Sequence, residues 1–531
     1  MKKNCILLLL DSITYDAISC EKISEKLFPN LYFLAKKFKM RKCISNSNCT
    51  QFVLPSLFSM TLPLDEGGYD YGIKNRKLSF MEILKNEGFQ TIIYSNCNQM
   101  GADNGYDRGV DENINSFDYR LILEQKLNRV ILSSYKKNFQ NENSDLELIE
   151  NYKYLLLDIK EKITTSNKLI WTNKLIKLNN YIKNKIDSEI RLIAEKPTIV
   201  KKKLLKINPA SIWMFLGDRN ISSLTFYFKR IKGSFNWRIK NLITKSKIPI
   251  NLLGHETINI IESFNVFKNK ILSLKKPFFI YHHIMDLHDY ENLNSITFFL
   301  KKLFYLPKWI WFSRQQKSKR KFFYDATLIL VDIYIGKILK ILDSNTIIYI
   351  TSDHGHRKSL KKQIQRKYIT KDYFNEMHGE DIEIPLISNK DLNSNNSIKL
   401  FDTISISKKI ISDLDIQLSN YIKEIDIDNE YIISEHAGRG SFDLNKNLYF
   451  TISNDKFRMI VVFFDDQLYI KLYDLIEDID EIKDLSNEEQ YSNIVKYIFN
   501  FLAIKRFKIV NKKIKLLKKV HNKFLKINDY L

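Results

Sequence analysis

The sequence predicts an α/β protein: a largely parallel central sheet with helices on both faces, a helical insertion, and a small C-terminal α+β part. Three stretches carry that prediction. Cys5 to Leu10 is an apolar run too short for a helix that buries itself, and it stops at Asp11. Asn345 to Thr351 is a second buried-strand pattern, rich in β-branched and aromatic residues, and it stops at Ser352-Asp353-His354-Gly355. Between them, Leu78 to Gly88 has Ser79 three residues before Glu82, a capping box, and a closing Gly; the β-rich Phe89–Tyr94 follows. In such a sheet ligands collect outside the carboxyl ends of the strands, where Asp11 and the Asp353-His354 pair are expected.

Composition sets the frame. At 531 residues the chain is long enough for several structural units, and 44% hydrophobic with 13% aromatic residues is globular rather than disordered. Lys and Arg outnumber Asp and Glu 84 to 61, a net charge of +23 that attracts phosphates, sulfates, nucleic acid or anionic lipid. Cys5, Cys20, Cys43, Cys49 and Cys97 show no CxxC spacing, and their odd number opposes a disulfide framework. The apolar run after Lys2-Lys3 is short for a signal peptide, and no stretch of about 18 uninterrupted apolar residues occurs. The expected location is cytoplasmic, extending to contact at the inner membrane surface.

Taken in order, Ser12, Thr14 and Asp16 lead into a helix running towards Lys36, and Asp11 reads as either a helix cap or a ligand. The polar loop Asn46–Thr50 enters a segment in which Pro55 suits a first helical turn. Cys49, Thr50 or Ser56 would then sit near helix N–H dipoles, which help to bind an anion and to activate a nucleophile. Residues from about 120 to 250 read as a basic helical insertion, in which Trp213, Phe215, Phe228 and Phe235 interleave with Arg219, Lys229, Arg230 and Lys232. That pattern suits a glycan or nucleic acid, but a helical lid with an apolar underside is the reading adopted. Phe278–Tyr281 is strand-like, and its end carries His282, His283, Asp286, His288 and Asp289. Asp286 and His288 share a side only where the backbone is extended. A second basic aromatic patch, Phe298 to Phe323 with Trp309 and Trp311, suits a membrane surface, an acyl chain or packing against the lid. Tyr324 to Leu342 is helical, and Pro385 assigns the strand Ile382–Ile387 to a sheet edge. Further on, Tyr431–Ser434, Leu448–Ser453, Arg458–Phe464 and Leu468–Tyr473 read as short strands. Glu435 to Gly440 reads as a loop, and the tail from Lys505 as a basic helix. The expected units are residues 1–115, 116–254, 255–425 and 426–531.

The order of these motifs resembles the sulfatase branch of the alkaline phosphatase superfamily over roughly residues 4–110 and 255–455. The matching pieces are Leu7-Leu8-Leu9-Leu10-Asp11, Pro55-Ser56, the Ser79–Thr91 unit, Lys276-Pro277-Phe278-Phe279 and Asp286-Leu287-His288. Next come Tyr324-Asp325 through Asp332 and Gly336, then Thr351-Ser352-Asp353-His354-Gly355, and His378-Gly379 ahead of Ile384-Pro385-Leu386. The resemblance implies an alkaline phosphatase-like fold and a metal-dependent hydrolase or transferase acting on a phosphate or sulfate ester. In that reading Asp11, Asp353 and His354 hold a divalent metal, while Asp286, His288, His378 and His436 contact the substrate or a second metal. An Asp-His pair favours Zn or Mn over Ca by ligand softness.

The sequence departs from the family at the nucleophile. Two residues before Pro-Ser, where sulfatases carry the Cys or Ser that becomes formylglycine, stands Val53, and Leu57 replaces the following Arg. Thr50 is therefore the assigned nucleophile, with Cys49, Ser56 or metal-activated water behind it. The expected substrate is an anionic ester, of a surface glycan or its lipid-linked precursor. The competing reading is a catalytically impaired sulfatase-like protein that binds an anionic glycan or lipid. No specific nucleic-acid partner is expected.

Overall fold

In the computed structural model the described residues are 2–19, 25–69, 71–101, 104–127, 143–207, 209–221, 259–274, 277–288, 296–315, 322–356, 376–392, 400–422, 430–437, 447–464 and 467–520, with a few single positions between. Lys229, Arg230 and Lys232 of the aromatic–basic run, and Gly438 to Gly440 of the loop after Glu435, lie outside them.

An eight-stranded sheet organises the chain: β1 (Cys5–Leu10), β2 (Arg41–Ile44), β3 (Gln90–Ser95), β4 (Glu112–Asn115), β5 (Phe278–Ile284), β6 (Ile347–Thr351), β7 (Glu383–Ser388) and β8 (Phe401–Asp402). Their order is β4-β3-β5-β1-β6-β7-β2-β8, parallel except where β7 runs against β6 and β2. β1 lies between β5 and β6, with Leu9 opposite both His283 and Thr351, so the three strands end together. This is the predicted α/β sheet with its two Asp-bearing strands side by side.

Alternation along β1 assigns its side chains to two cores. Ile6, Leu8 and Leu10 pack with Leu31 and Leu34 of the Pro29–Lys37 helix, Phe267 of Ile260–Ser273, and Leu328 and Ile335 of Phe322–Ile341. Cys5, Leu7 and Leu9 face a larger core. It contains Leu54, Leu57 and Phe58 of the Thr50–Ser59 helix and Ile406 and Ile410 of Thr403–Asp413. The insertion joins this second core through helices Asn143–Thr165, Asn173–Glu195 and Pro197–Lys206, which contribute Leu156, Ile182 and Val200. Its own centre holds a fully buried ion pair, Lys203 Nζ to Glu189 Oε2 at 2.7 Å.

Four local expectations change around the first sheet. The helix predicted from Ser12 to Lys36 does not run unbroken: Tyr15–Ser19 and Pro29–Lys37 are separate, and Pro29 opens the second at a position where its missing N–H costs nothing. Pro55 does not begin a helix but sits inside Thr50–Ser59, five residues after its start; the helix ends soon after, at Met60 with φ 55°. The strand predicted as Phe278–Tyr281 continues to Ile284, carrying both histidines into the sheet. Pro385 lies in an interior strand. Its carbonyl accepts from Thr351 Oγ1 at 2.8 Å, while the β6–β7 ladder stops at Leu386. The proline nitrogen therefore faces past the last paired residue of β6, where no donor is missed.

A second, antiparallel sheet, β9 (Ile432–His436), β10 (Leu448–Ser453), β11 (Phe457–Phe464) and β12 (Gln467–Asp474), closes the chain with helices Ser492–Lys505 and Phe507–Val520. Glu435 and His436, expected in a loop, are the last residues of β9; β-branched Ile432 and Ile433 start a ladder that extends through His436 opposite Tyr449. β9 is tied to the 45–47 loop by four bonds: Ser434 Oγ to Ser45 O, Asn46 Nδ2 to Ile433 O, Glu435 N to Asn46 O, and Ser47 Oγ to Glu435 O.

Burial pushes the Glu435 carboxyl up to about 7, and nearby Asp65 adds to the rise; Arg506 and the Leu64 N–H oppose it. Arg506 Nε lies 2.5 Å from Glu435 Oε1, an ion contact without hydrogen-bond alignment. A carboxyl whose folded pKa is raised stabilises the fold fully below its unfolded value, and that contribution is lost as pH rises through the folded one. The wild-type chain should therefore lose roughly 3 kcal/mol between about pH 4.5 and 7 from this group. Urea midpoints measured across that window should fall more steeply for wild type than for Glu435→Gln; parallel slopes would contradict this.

Candidate active site

Asp11, Ser352 and Asp353 leave the ends of β1 and β6 already fixed. Asp11 N donates to Ile284 O (3.1 Å), and Ser352 Oγ donates to Leu10 O (2.6 Å) and accepts from Ile13 N (3.0 Å). Ser12 has φ 60°, a left-handed conformation uncommon for a residue with a Cβ. It directs its N–H at Asp353 Oδ1 (3.2 Å) and its hydroxyl at Asp11 Oδ1 (2.5 Å). Asp353 Oδ1 also accepts from His354 N (2.8 Å), and its carbonyl from Ser45 Oγ (2.5 Å). Gly355 completes the motif: its N–H donates to Asp381 O (2.7 Å), and any Cβ there would overlap the Glu380 carbonyl.

Into this frame the Thr50–Ser59 helix delivers its first residue. Thr50 Oγ1 donates to Asp353 Oδ2 (2.6 Å) and lies 3.2 Å from Asp11 Oδ2 and 3.3 Å from His354 Nε2. His354 Nδ1 is 2.7 Å from the Gly355 carbonyl, which can only accept, so Nδ1 carries a proton and Nε2 is the ring atom that faces Thr50. Of the three nucleophiles considered, Thr50 is the one bonded to both aspartates. Cys49 is the helix cap residue, and Ser56 lies buried more than a turn further along.

His283 joins the group, and sequence reasoning passed over it. Its Nε2 is 3.2 Å from Asp11 Oδ2, and its Nδ1 is 3.2 Å from the hydroxyl of fully buried Tyr281. The signal was the alternation of β5: Tyr281 and His283 share one face, and His282 takes the other. His282 donates through Nδ1 to Tyr94 O (3.1 Å), accepts from the Tyr334 hydroxyl (2.9 Å), and is pushed down to about 3, chiefly by burial.

Ligand atoms of Asp11, His283 and Asp353 all lie within 4.8 Å of one another, and all three residues are buried. Among the described residues neither aspartate has a Lys or Arg partner; their ion-pair partners are His283 and His354. Burial alone would raise the Asp11 pKa, but the His283 hydrogen bond and the charges of His288 and His354 hold it well below the usual carboxylate range. Two buried carboxylates beside imidazole nitrogens form a donor set suited to a divalent cation. The residues therefore fit such an ion.

The remaining sequence candidates fall elsewhere. Asp286 is buried and accepts from Ile260 N (3.2 Å), at the start of the Ile260–Ser273 helix. His288 is exposed, within electrostatic range of Asp11. His378 Nδ1 bonds Glu481 Oε2 (2.6 Å) at the seam with the second sheet, where Arg458 joins Glu481 and Glu383. His436 packs edge-on against Phe52, two residues past Thr50, with ring centroids 4.7 Å apart.

No family model matches the chain, and no curated protein does. Solved structures do resemble it. One is a candidate sulfatase from Bacteroides thetaiotaomicron, 12% identical, aligned over 96% of this chain and 94% of its own, with a TM-score of 0.49. Another is the phosphonate monoester hydrolase of Agrobacterium radiobacter, 10% identical over 96% of each chain, TM-score 0.48. A 2-O glycosaminoglycan sulfatase is 12% identical over 98% of this chain and 93% of its own, TM-score 0.41.

Proposed function

We propose that this chain is a metal-dependent hydrolase or transferase of phosphate or sulfate esters, with Thr50 as nucleophile. The observation that carries the reading is the position of Thr50 Oγ1, at the start of a helix and within 3.3 Å of Asp11, Asp353 and His354. Asp11, Asp353 and His354, with His283 alongside, would hold a divalent ion, which would supply Lewis-acid charge for the ester oxygen and for the nucleophile.

The chain's own groups do the rest. Asp353 Oδ2 is the acceptor for the Thr50 proton, so the hydroxyl is oriented before substrate arrives. The Thr50 and Gln51 N–H groups open the helix ahead of its first bonds, from Phe52 and Val53 to Cys49 O, and favour an anion beside Thr50. Attack by Oγ1 forms its bond to phosphorus or sulfur as the ester oxygen departs, and the leaving group takes up a proton. Water then releases the group from Thr50, or an acceptor hydroxyl takes it in the transferase version. Tyr281 keeps the His283 ring oriented through Nδ1. The basic surface, +23 overall, accords with an anionic ester such as that of a surface glycan or lipid-linked precursor, in a cytoplasmic setting.

The test is turnover of p-nitrophenyl phosphate, p-nitrophenyl sulfate and phenylphosphonate esters by the full chain, before and after chelation. We expect hydrolysis of at least one class, loss on chelation, and recovery with Zn or Mn better than with Ca. Bound metal with no turnover of any class would instead establish a binding protein, the reading favoured by Val53 in place of the sulfatase cysteine.

A further inference from the structure

We propose that the helical pair Ile296–Phe304 and Leu306–Gln315 docks the protein on an anionic lipid surface. Both helices pack on the Phe322–Ile341 helix through their inner faces. Phe299 stacks on Phe323 with centroids 5.9 Å apart, and Trp309 meets Phe322 edge-on at 5.4 Å while its Nε1 donates to Asp325 Oδ2 at 2.9 Å. Their outer faces carry large apolar groups in solvent: Leu300 is 57% exposed, Phe304 79% and Trp311 53%. Leu300 and Phe304 stand one helical turn apart on the same side. Lys301 and Lys308 flank them, also exposed, and Lys26 Nζ lies 5.5 Å from the Trp311 ring.

Charge decides what covers this face. From residue 292 to residue 324 the sequence has eight Lys or Arg and no Asp or Glu. A second copy of the chain would bring two such faces together and repel. A nucleic acid would satisfy the lysines and the tryptophan, but would leave Leu300 and Phe304 in water. A bilayer with anionic headgroups satisfies both sets at once: apolar side chains enter the acyl boundary while Lys and Arg remain at the phosphates. Among the described residues no helix is long and apolar enough to cross a membrane, so the contact is peripheral.

The pair is also fixed to the rim of the site. Lys302 Nζ donates to Tyr290 O (2.9 Å), the Tyr290 ring meets Tyr324 edge-on at 5.5 Å, and the Tyr324 hydroxyl donates to Ser12 O (2.9 Å), next to Asp11. A docked surface is thus coupled through three residues to the edge that carries the carboxylates.

The experiment is co-sedimentation of the full chain with phosphatidylcholine vesicles, plain or containing about one-third phosphatidylglycerol. It reads binding without turnover, so its outcome is independent of the proposed reaction. We expect phosphatidylglycerol vesicles to bind at least about tenfold more tightly than plain ones. Phe304→Ser with Trp311→Ser, and separately Lys301→Glu with Lys308→Glu, should each lower that affinity about tenfold with an unchanged thermal midpoint. Lys508→Glu with Lys512→Glu in the Phe507–Val520 helix serves as the control and should have little effect. Wild-type affinity in both test variants overturns the proposal. Equal loss in the control overturns it too, by assigning binding to net charge. So does binding to single-stranded DNA, lost in the Phe304/Trp311 variant, when no vesicle binds.

Discussion

Thr50→Ala is expected to slow ester turnover by at least about 10³-fold while leaving the bound metal in place. The substitution removes one hydroxyl from a helix whose other residues, Phe52 to Ser59, are buried and unaffected. It also withdraws the proton that Thr50 donates to Asp353, so the two aspartates lose a shared neighbour, but the Ser12 and His354 N–H bonds to Asp353 Oδ1 remain. Thr50→Ser restores the oxygen and should recover most of the rate, whereas Cys49→Ser and Ser56→Ala should stay near wild type. Stopped turnover in Thr50→Ala with recovery in Thr50→Ser identifies the oxygen as the attacking group. An undiminished rate in Thr50→Ala would transfer that role to water.

Asp353→Ala is expected to abolish metal binding and turnover together while the chain still folds. Asp353 is fully buried, and its two oxygens divide their work: Oδ1 accepts from the backbone, Oδ2 from Thr50. Alanine leaves the Ser12 and His354 N–H groups without that acceptor, at a cost of about 1–3 kcal/mol for each buried donor left unpaired. Offsetting it, Asp11 no longer shares the site with a second buried negative charge. Asp353→Asn supplies the control for folding, since its amide oxygen keeps the backbone bonds and only the charge is lost. Both variants should lose the upward shift in thermal midpoint that Zn or Mn gives wild type, roughly 3 kcal/mol of stabilisation at a hundredfold excess over Kd. A metal-induced shift of wild-type size in either variant would remove Asp353 from the site.

The ends of β1 and β6 were legible because a buried parallel strand advertises itself as an apolar run, and each run stops at a carboxylate. Adjacency was harder: nothing in Cys5–Leu10 or Ile347–Thr351 states that they pair, and only their common motif order suggested it. His283 stayed hidden because the strand that carries it was ended three residues early, at Tyr281. Imidazoles are not usual strand formers, and it is burial between neighbouring strands that carries β5 on to Ile284. Both prolines misled for a related reason. Pro55 and Pro385 occupy interior positions because tertiary packing holds the helix and the strand, overriding the local preference that placed them at ends. Asp286 and His378 are also held by the fold itself. Each is a polar residue with metal-ligand chemistry that is engaged in building structure, at a helix start and in a seam ion-pair cluster.

The four bonds between β9 and the 45–47 loop have a consequence for the order of events in the cell. Asp11, Thr50, His283, Asp353 and His354 all emerge from the ribosome before residue 430, yet the loop that aims Thr50 closes on strand backbone made later. A nascent chain halted before that strand would possess every reactive group and still lack the latch that holds the hydroxyl in position. The candidate site is thus completed only once residues 432–436 have joined the chain.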